Sequence, residues 1–95
     1  MSSPSDAVPL SGEHRRTLAL IFRHPTSHNI EWHDVLSLLE AIGSVRESSK
    51  RNRVVTIGAR TQIFHHVQQK DVDPEQIADL RRMLSEAGYG STSPQ

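Results

Sequence analysis

The chain of 95 residues has no cysteine, only one tryptophan, one tyrosine and two phenylalanines, and no long apolar run. Without cysteine there is neither a disulfide framework nor a thiolate metal site. No stretch approaches the roughly 20 apolar residues of a membrane span, and the amino terminus lacks the apolar run of a signal peptide. So few aromatic residues exclude a base-stacking platform for single-stranded nucleic acid. We therefore expect a cytoplasmic protein without a cofactor.

Basic residues are concentrated in the middle of a chain whose formal net charge is zero. Between Ser44 and Lys70 the net charge is +5, with Glu47 as the only acid, and both flanking parts are mildly acidic. Two interpretations explain this pattern equally well. One is a solvated hairpin between helices, and the other is a surface for an anionic partner, first of all a phosphate backbone. The basic residues of this segment are Arg46, Lys50, Arg51, Arg53, Arg60 and Lys70.

Three helices are predicted from the spacing of apolar residues at steps of three and four. The central helix is the most complete, with Gly43 expected as a left-handed stop. The first helix follows Ser11 as its cap, and the last helix follows Asp73, with a proline in its first position. The predicted helices are Trp32–Gly43, Glu13–His24 and Pro74 to about Ala87.

Three strands are predicted between the second and third helices. The run RVVTI is rich in β-branched residues, and a short glycine-containing link joins it to TQIFHHV as a hairpin. The order α-α-β-β-β-α predicts a small α+β domain, with helices packed on one face of a three-stranded antiparallel sheet. The predicted strands are Ser44–Ser48, Arg53–Ile57 and Thr61–Val67. Composition predicts a single domain over residues 13–88, between flexible tails at 1–12 and 89–95.

Two histidines, His65 and His66, stand side by side in the predicted third strand. Adjacent strand residues point to opposite faces, so only one of the two is expected to face solvent, near the basic turn. Histidine titrates near neutrality and can act as a general base or acid in RNA cleavage through the 2′-hydroxyl. The alternative is a sheet-surface histidine with a partly buried neighbour. Because no histidines have the spacing of a zinc site, no metal is expected.

The segments IFRHP, EWHDVLSLLEAIG, VRE, RVVTIG, TQIFHH and DLRRMLSEAGY follow one another over about residues 14–89. In this order and spacing the chain resembles the HicA-like mRNA interferases, the small toxins of bacterial toxin–antitoxin pairs. The resemblance implies a fold like that of double-stranded-RNA-binding domains, RNA binding, ribosome-independent mRNA cleavage and neutralisation by a HicB-type antitoxin. In place of the family's catalytic Gly-Ser-His-His-aliphatic segment, residues 50–54 read KRNRV, with Asn52 where the histidine is expected.

Asparagine cannot take up a proton as a base, so this departure favours RNA binding over cleavage. We expect phosphate contacts from the six basic residues, mainly those of the hairpin, with Lys70 in support. A divergent endoribonuclease that uses His65 or His66 is the alternative. A third hypothesis is an interaction module that binds an acidic protein partner, without nucleic acid.

Overall fold

The computed structural model of the protein describes residues 10–23 and 29–89. Over these residues three helices and three strands follow one another in the order α-α-β-β-β-α, which confirms the predicted α+β class. The helices are α1 (Gly12–Ile21), α2 (Trp32–Ile42) and α3 (Pro74–Glu86), and the strands are β1 (Ser44–Glu47), β2 (Arg53–Ile57) and β3 (Arg60–Phe64).

The strands form one antiparallel sheet, as predicted, and its strand order is β1-β2-β3. Its register places Val55 beside Gln62, and Val54 beside Ile63. Since successive strand residues point to opposite faces, these two pairs lie on opposite faces of the sheet. Val55 is fully buried, whereas Ile63 is 49% exposed. The helices therefore cover the face of Val55, called here the inner face, and leave the outer face of Ile63 open.

The core lies between the inner face and the helices. Trp32, at the start of α2, packs edge-to-face on Phe64 at the end of β3, with ring centroids 5.9 Å apart. The apolar stripe of α3 is buried as its spacing predicts. The fully buried side chains of α2 and α3 are Trp32, Val35, Leu38, Leu39, Ile77, Leu80, Met83 and Leu84.

The first helix has the predicted cap but ends earlier than predicted. The Ser11 hydroxyl accepts a hydrogen bond from the His14 amide at 3.1 Å, as expected of a cap. The helix ends at Ile21 rather than His24, because Arg81 of α3 donates hydrogen bonds to the carbonyls of Ile21 (2.6 Å) and Arg23 (2.9 Å). A tertiary contact thus satisfies carbonyls that have no partner at the end of the helix.

Gly43 ends α2, but the prediction of a left-handed stop is wrong. Its backbone is extended, with φ −160° and ψ −144°. Glycine is needed for space instead, because a Cβ atom at this position would overlap the carbonyl oxygen of Thr56. Left-handed glycines occur at Gly58 (φ 60°), in the turn between β2 and β3, and at Gly88 (φ 92°), just after α3.

The third strand ends at Phe64 rather than at the predicted Val67. His66 has a φ of 61°, which turns the chain out of the extended conformation. The turn returns Val67 to the core, where it is buried and its amide donates to the Arg51 carbonyl at 2.8 Å. Both His65 and His66 are exposed, so the prediction that only one of them faces solvent is wrong.

Two smaller expectations also need correction. The first strand ends at Glu47 rather than Ser48, because Ser48 already belongs to the turn that follows. Asp73 is the residue before α3, but its side chain makes no cap hydrogen bond.

Most of both predicted tails, together with His24, lies outside the described residues. No helix within residues 10–23 and 29–89 is long and apolar enough to cross a membrane.

Candidate nucleic-acid interface

The turn between β1 and β2, residues 48–52, is braced by the arginine that follows it. The Ser48 amide donates to the Asn52 carbonyl at 3.2 Å, which closes the turn. The Arg53 guanidinium donates to the carbonyls of Ser49 (3.1 Å) and Asn52 (3.0 Å). Arg53 therefore braces the turn through Nη1 of its guanidinium. The turn is thus held by hydrogen bonds within residues 48–53.

The loop after β3 is fastened to the same turn. Gln76 of α3 accepts from the His65 amide at 3.0 Å and donates to the His65 carbonyl at 2.9 Å. The side-chain amide of Gln76 thus satisfies both the backbone N–H and the backbone C=O of His65, as a residue of a neighbouring strand would. The Val67 amide, bonded to the Arg51 carbonyl at 2.8 Å, joins the loop to the turn directly. Residues 48–52 and 65–70 thus form one continuous surface, called here the turn-end surface.

An imidazole and an amide meet on the turn-end surface. The distance from His65 Nδ1 to Asn52 Oδ1 is 3.2 Å, and both side chains are partly or fully open to solvent. An amide oxygen can only accept, so Nδ1 donates, and in the neutral ring Nε2 is left free to accept a proton. This orientation is what a general base requires. Asn52 therefore lies beside a histidine, although it cannot act as a base itself.

The structure brings some of the predicted basic residues together and separates others. Lys50 and Arg51 are exposed on the turn-end surface, and within the described residues neither has an ion-pair partner. Lys70 is exposed at the far side of the loop, where its carbonyl accepts from the Trp32 amide at 2.9 Å. Arg46 is exposed on β1, beside Val54 of the outer face. These four cations are available to an anionic ligand.

Arg60 does not belong to this group. It starts β3 at the opposite end of the sheet, about 13 Å from Arg53 along the strand at the usual rise per residue. Its guanidinium pairs with Glu86 of α3 at 2.6 Å. The positive charge predicted for the whole hairpin is therefore concentrated at the turn end, while an ion pair occupies the other end.

Sequence reasoning missed Gln76 altogether. It lies in the first turn of α3, where nothing in the local pattern distinguishes it from any solvated helix residue. Its role arises from the loop that α3 packs against, 11 positions earlier in the chain. His66 was singled out with His65, but only His65 is held by both the turn and α3.

Comparisons with known proteins leave the family open: the chain matches no protein-family model, no curated protein and no solved structure. The HicA-like resemblance therefore remains a prediction. Within the part of the chain that the structure describes, no group of three or more histidine, aspartate or glutamate side chains lies close enough together to hold a metal ion.

Proposed function

We propose that the protein is an RNA-binding domain that contacts the phosphate backbone through the turn-end surface. The observation that carries the proposal is the fixed frame of this surface. Nη1 of Arg53 and the side-chain amide of Gln76 bond to the backbone of this surface, on which Lys50 and Arg51 are exposed. A preorganised pair of cations loses less conformational entropy on binding than the same side chains on a mobile loop.

Double-stranded RNA suits this surface better than single-stranded RNA. The aromatic residues Trp32 and Phe64 are buried in the core, so they cannot stack on unpaired bases. A-form RNA is recognised mainly through its backbone and 2′-hydroxyl groups, for which lysine, arginine and amide side chains are suitable partners. Lys70 and Arg46 would extend the phosphate contacts on either side of the turn.

Salt-dependent binding to a labelled RNA hairpin tests this proposal. The affinity should fall steeply with salt, because each neutralised phosphate releases a condensed counterion. In the double variant Lys50→Gln/Arg51→Gln, the slope of log affinity against log salt should become shallower by about 1 to 2. The matched control is Arg15→Gln/Arg16→Gln, which removes two exposed cations from α1. Equal slopes in the two double variants would contradict the proposal.

A second candidate function is RNA cleavage, and the His65–Asn52 contact favours it. With Nδ1 donating to Asn52, the exposed His65 could use Nε2 to take the proton of a 2′-hydroxyl. The test is the same RNA, run on a denaturing gel after incubation with the protein. Cleavage that His65→Ala abolishes and His66→Ala leaves intact would support it. RNA that stays intact under binding conditions would mean that the protein binds RNA without cleaving it.

The toxin-like resemblance adds a biological setting to this proposal. In that setting the protein acts in the cytoplasm, on mRNA, and a HicB-like antitoxin is its protein partner. Expression of the full chain in a bacterial host provides the test. Growth arrest that co-expression of a neighbouring antitoxin-like gene relieves would support the setting, whereas unaffected growth at high expression would argue against it.

A further inference from the structure

The outer face of the sheet is open and has a definite composition. Alternation along the strands and the observed register place its residues in rows across the sheet. One row joins Arg46, Val54 and Ile63, and the next joins Ser44, Thr56 and Thr61. All six side chains are exposed or half-buried, so no helix covers them.

The middle of this face is apolar. Ile63 is 49% exposed and is the only large hydrophobic residue that the described part of the chain leaves exposed. Val54, directly opposite in the register, is half-buried beside it. The hydroxyls of Thr56 and Thr61 lie 3.0 Å apart and bond to each other. Covering the two threonines would cost little, because their hydroxyls already bond to each other.

The charge of the outer face has one sign. Arg46 provides the only charge of the two rows, which contain no carboxylate. Lys50 and Arg51 continue the positive charge in the adjacent turn. A second copy of the chain packed through the same face would offer Arg46 no carboxylate to pair with. The aliphatic side chains of Val54 and Ile63 would add nothing to the affinity for RNA, since neither can stack on a base. An acidic protein is the ligand that suits both the charge and the apolar centre.

The size of the face restricts the ligand further. Three strands of four to five residues present about 200 Å², well below the ~800 Å² that each partner of a typical stable complex buries. A short segment fits such a face better than a globular surface does. From these observations we propose that the outer face binds a short acidic peptide segment of another protein. An aliphatic side chain of that segment lies on Val54 and Ile63, and its carboxylates face Arg46.

This surface shares only Arg46 with the proposed RNA contacts, and its test is separate because it also follows Val54 and Ile63. The full chain is labelled with ¹⁵N and titrated with the heptapeptide Glu-Glu-Ile-Glu-Ile-Glu-Glu while amide chemical shifts are recorded. Two matched peptides replace every Glu with Lys, or every Ile with Ser. The acidic aliphatic peptide should shift the amides of Arg46, Val54 and Ile63, and both matched peptides should bind at least about tenfold more weakly.

Point variants check which side chains carry the binding. Ile63→Ser should weaken binding of the acidic aliphatic peptide about tenfold, because the apolar contact is lost. A serine at this half-exposed position should leave the core intact. The amide spectrum of the variant shows whether it is folded. Arg46→Gln should also weaken binding, whereas Arg15→Gln, an exposed arginine of α1, should not.

Four results would overturn the proposal. The first is equal binding of the lysine peptide, and the second is a set of shifts confined to other parts of the protein. The third is an RNA hairpin that shifts the same rows as strongly as the peptide does, which would assign the face to nucleic acid. The fourth is a concentration-dependent shift of these amides without any peptide, which would assign it to self-association. Failure of RNA binding at Lys50 and Arg51 would leave the peptide result unaffected.

Discussion

Single residues at two positions act through the backbone of their neighbours. Gly43 lets α2 approach β2 closely, because there is no room for a Cβ atom beside the Thr56 carbonyl. Gln76 bonds both the backbone N–H and the backbone C=O of His65. Neither residue contributes to the hydrophobic core, yet each determines where a functional or structural segment lies.

Gly43→Ala should destabilise the protein by about 1 to 3 kcal/mol, the usual cost of forcing an extra group into a packed site. The free energy of unfolding from urea titration measures this. Gly12→Ala is the matched control, since a Cβ atom there meets nothing within 4 Å. At that helical position the change should be neutral or stabilise by up to about 1 kcal/mol. Equal stabilities of the two variants would show that Gly43 has room for a side chain.

Gln76→Ala should release the backbone of His65. The two lost hydrogen bonds are exposed, so the loss of stability should be about 1 kcal/mol. Hydrogen exchange of the His65 amide should become faster, because its acceptor is gone. In Gln69→Ala, an exposed loop glutamine on the same surface, exchange of that amide should be unchanged. Unchanged exchange in Gln76→Ala as well would mean that the turn alone holds the histidine.

At the level of elements, the ends of α1 and β3 depend on neighbours more than on their own residues. The end of α1 relies on Arg81, whose guanidinium reaches two carbonyls 60 and 58 positions earlier in the chain. The end of β3 depends on Val67, which has to return to the core, so the chain turns at His66. Tertiary contacts determine both ends, and both differ from the predicted ones.

Arg81→Lys should destabilise the protein by about 1 to 2 kcal/mol, since an ammonium group keeps the charge but loses the planar fork that reaches both carbonyls. Thermal or urea unfolding measures the change. Arg82→Lys, at the exposed next position of α3, is the control and should be neutral within about 0.5 kcal/mol. A loss of the same size in both variants would show that the contact with α1 contributes little.

At the level of the whole molecule, one core connects all the layers, and within it Trp32 joins α2 to the sheet. Trp32 is 1% exposed and contacts Phe64 of the sheet, and its backbone amide donates a hydrogen bond to the Lys70 carbonyl. Because Trp32 is the sole tryptophan, its fluorescence reports on the contact between helix and sheet.

Unfolding of the full chain in urea should therefore be a single cooperative transition. Tryptophan fluorescence and far-ultraviolet circular dichroism should give the same midpoint, with a slope of about 1 kcal/mol/M for a chain of this size. If the fluorescence transition came at lower urea concentration than the loss of helix, the sheet would separate from the helices before they unfold. That result would contradict a single core.

The two ends of the sheet differ in charge, and this difference exists only at the scale of the whole molecule. Glu86 pairs with Arg60 at one end, whereas Lys50 and Arg51 lie exposed at the other. The net charge of the chain hides this asymmetry, and the count over residues 44–70 gives no indication of its direction. The proposed RNA contact depends on this separation.

The elements could be predicted from the sequence where local periodicity decides them. The spacing of apolar residues predicted α2 and α3 and most of their buried residues, and the β-branched run predicted β2 with the bounds that the structure has. The α+β class follows from their order. Periodicity succeeds here because a single buried face imposes the same repeat on every residue of an element.

Only the tertiary structure decided how the candidate site is assembled. The contacts of His65 with Asn52 and Gln76 join residues 13 and 11 positions apart, on three different segments. The inward use of Arg53 and the pairing of Arg60 with Glu86 likewise depend on which groups the fold brings near. A local pattern cannot encode such partners, because a side chain's role in a site depends on the distances that packing sets between segments remote in the chain.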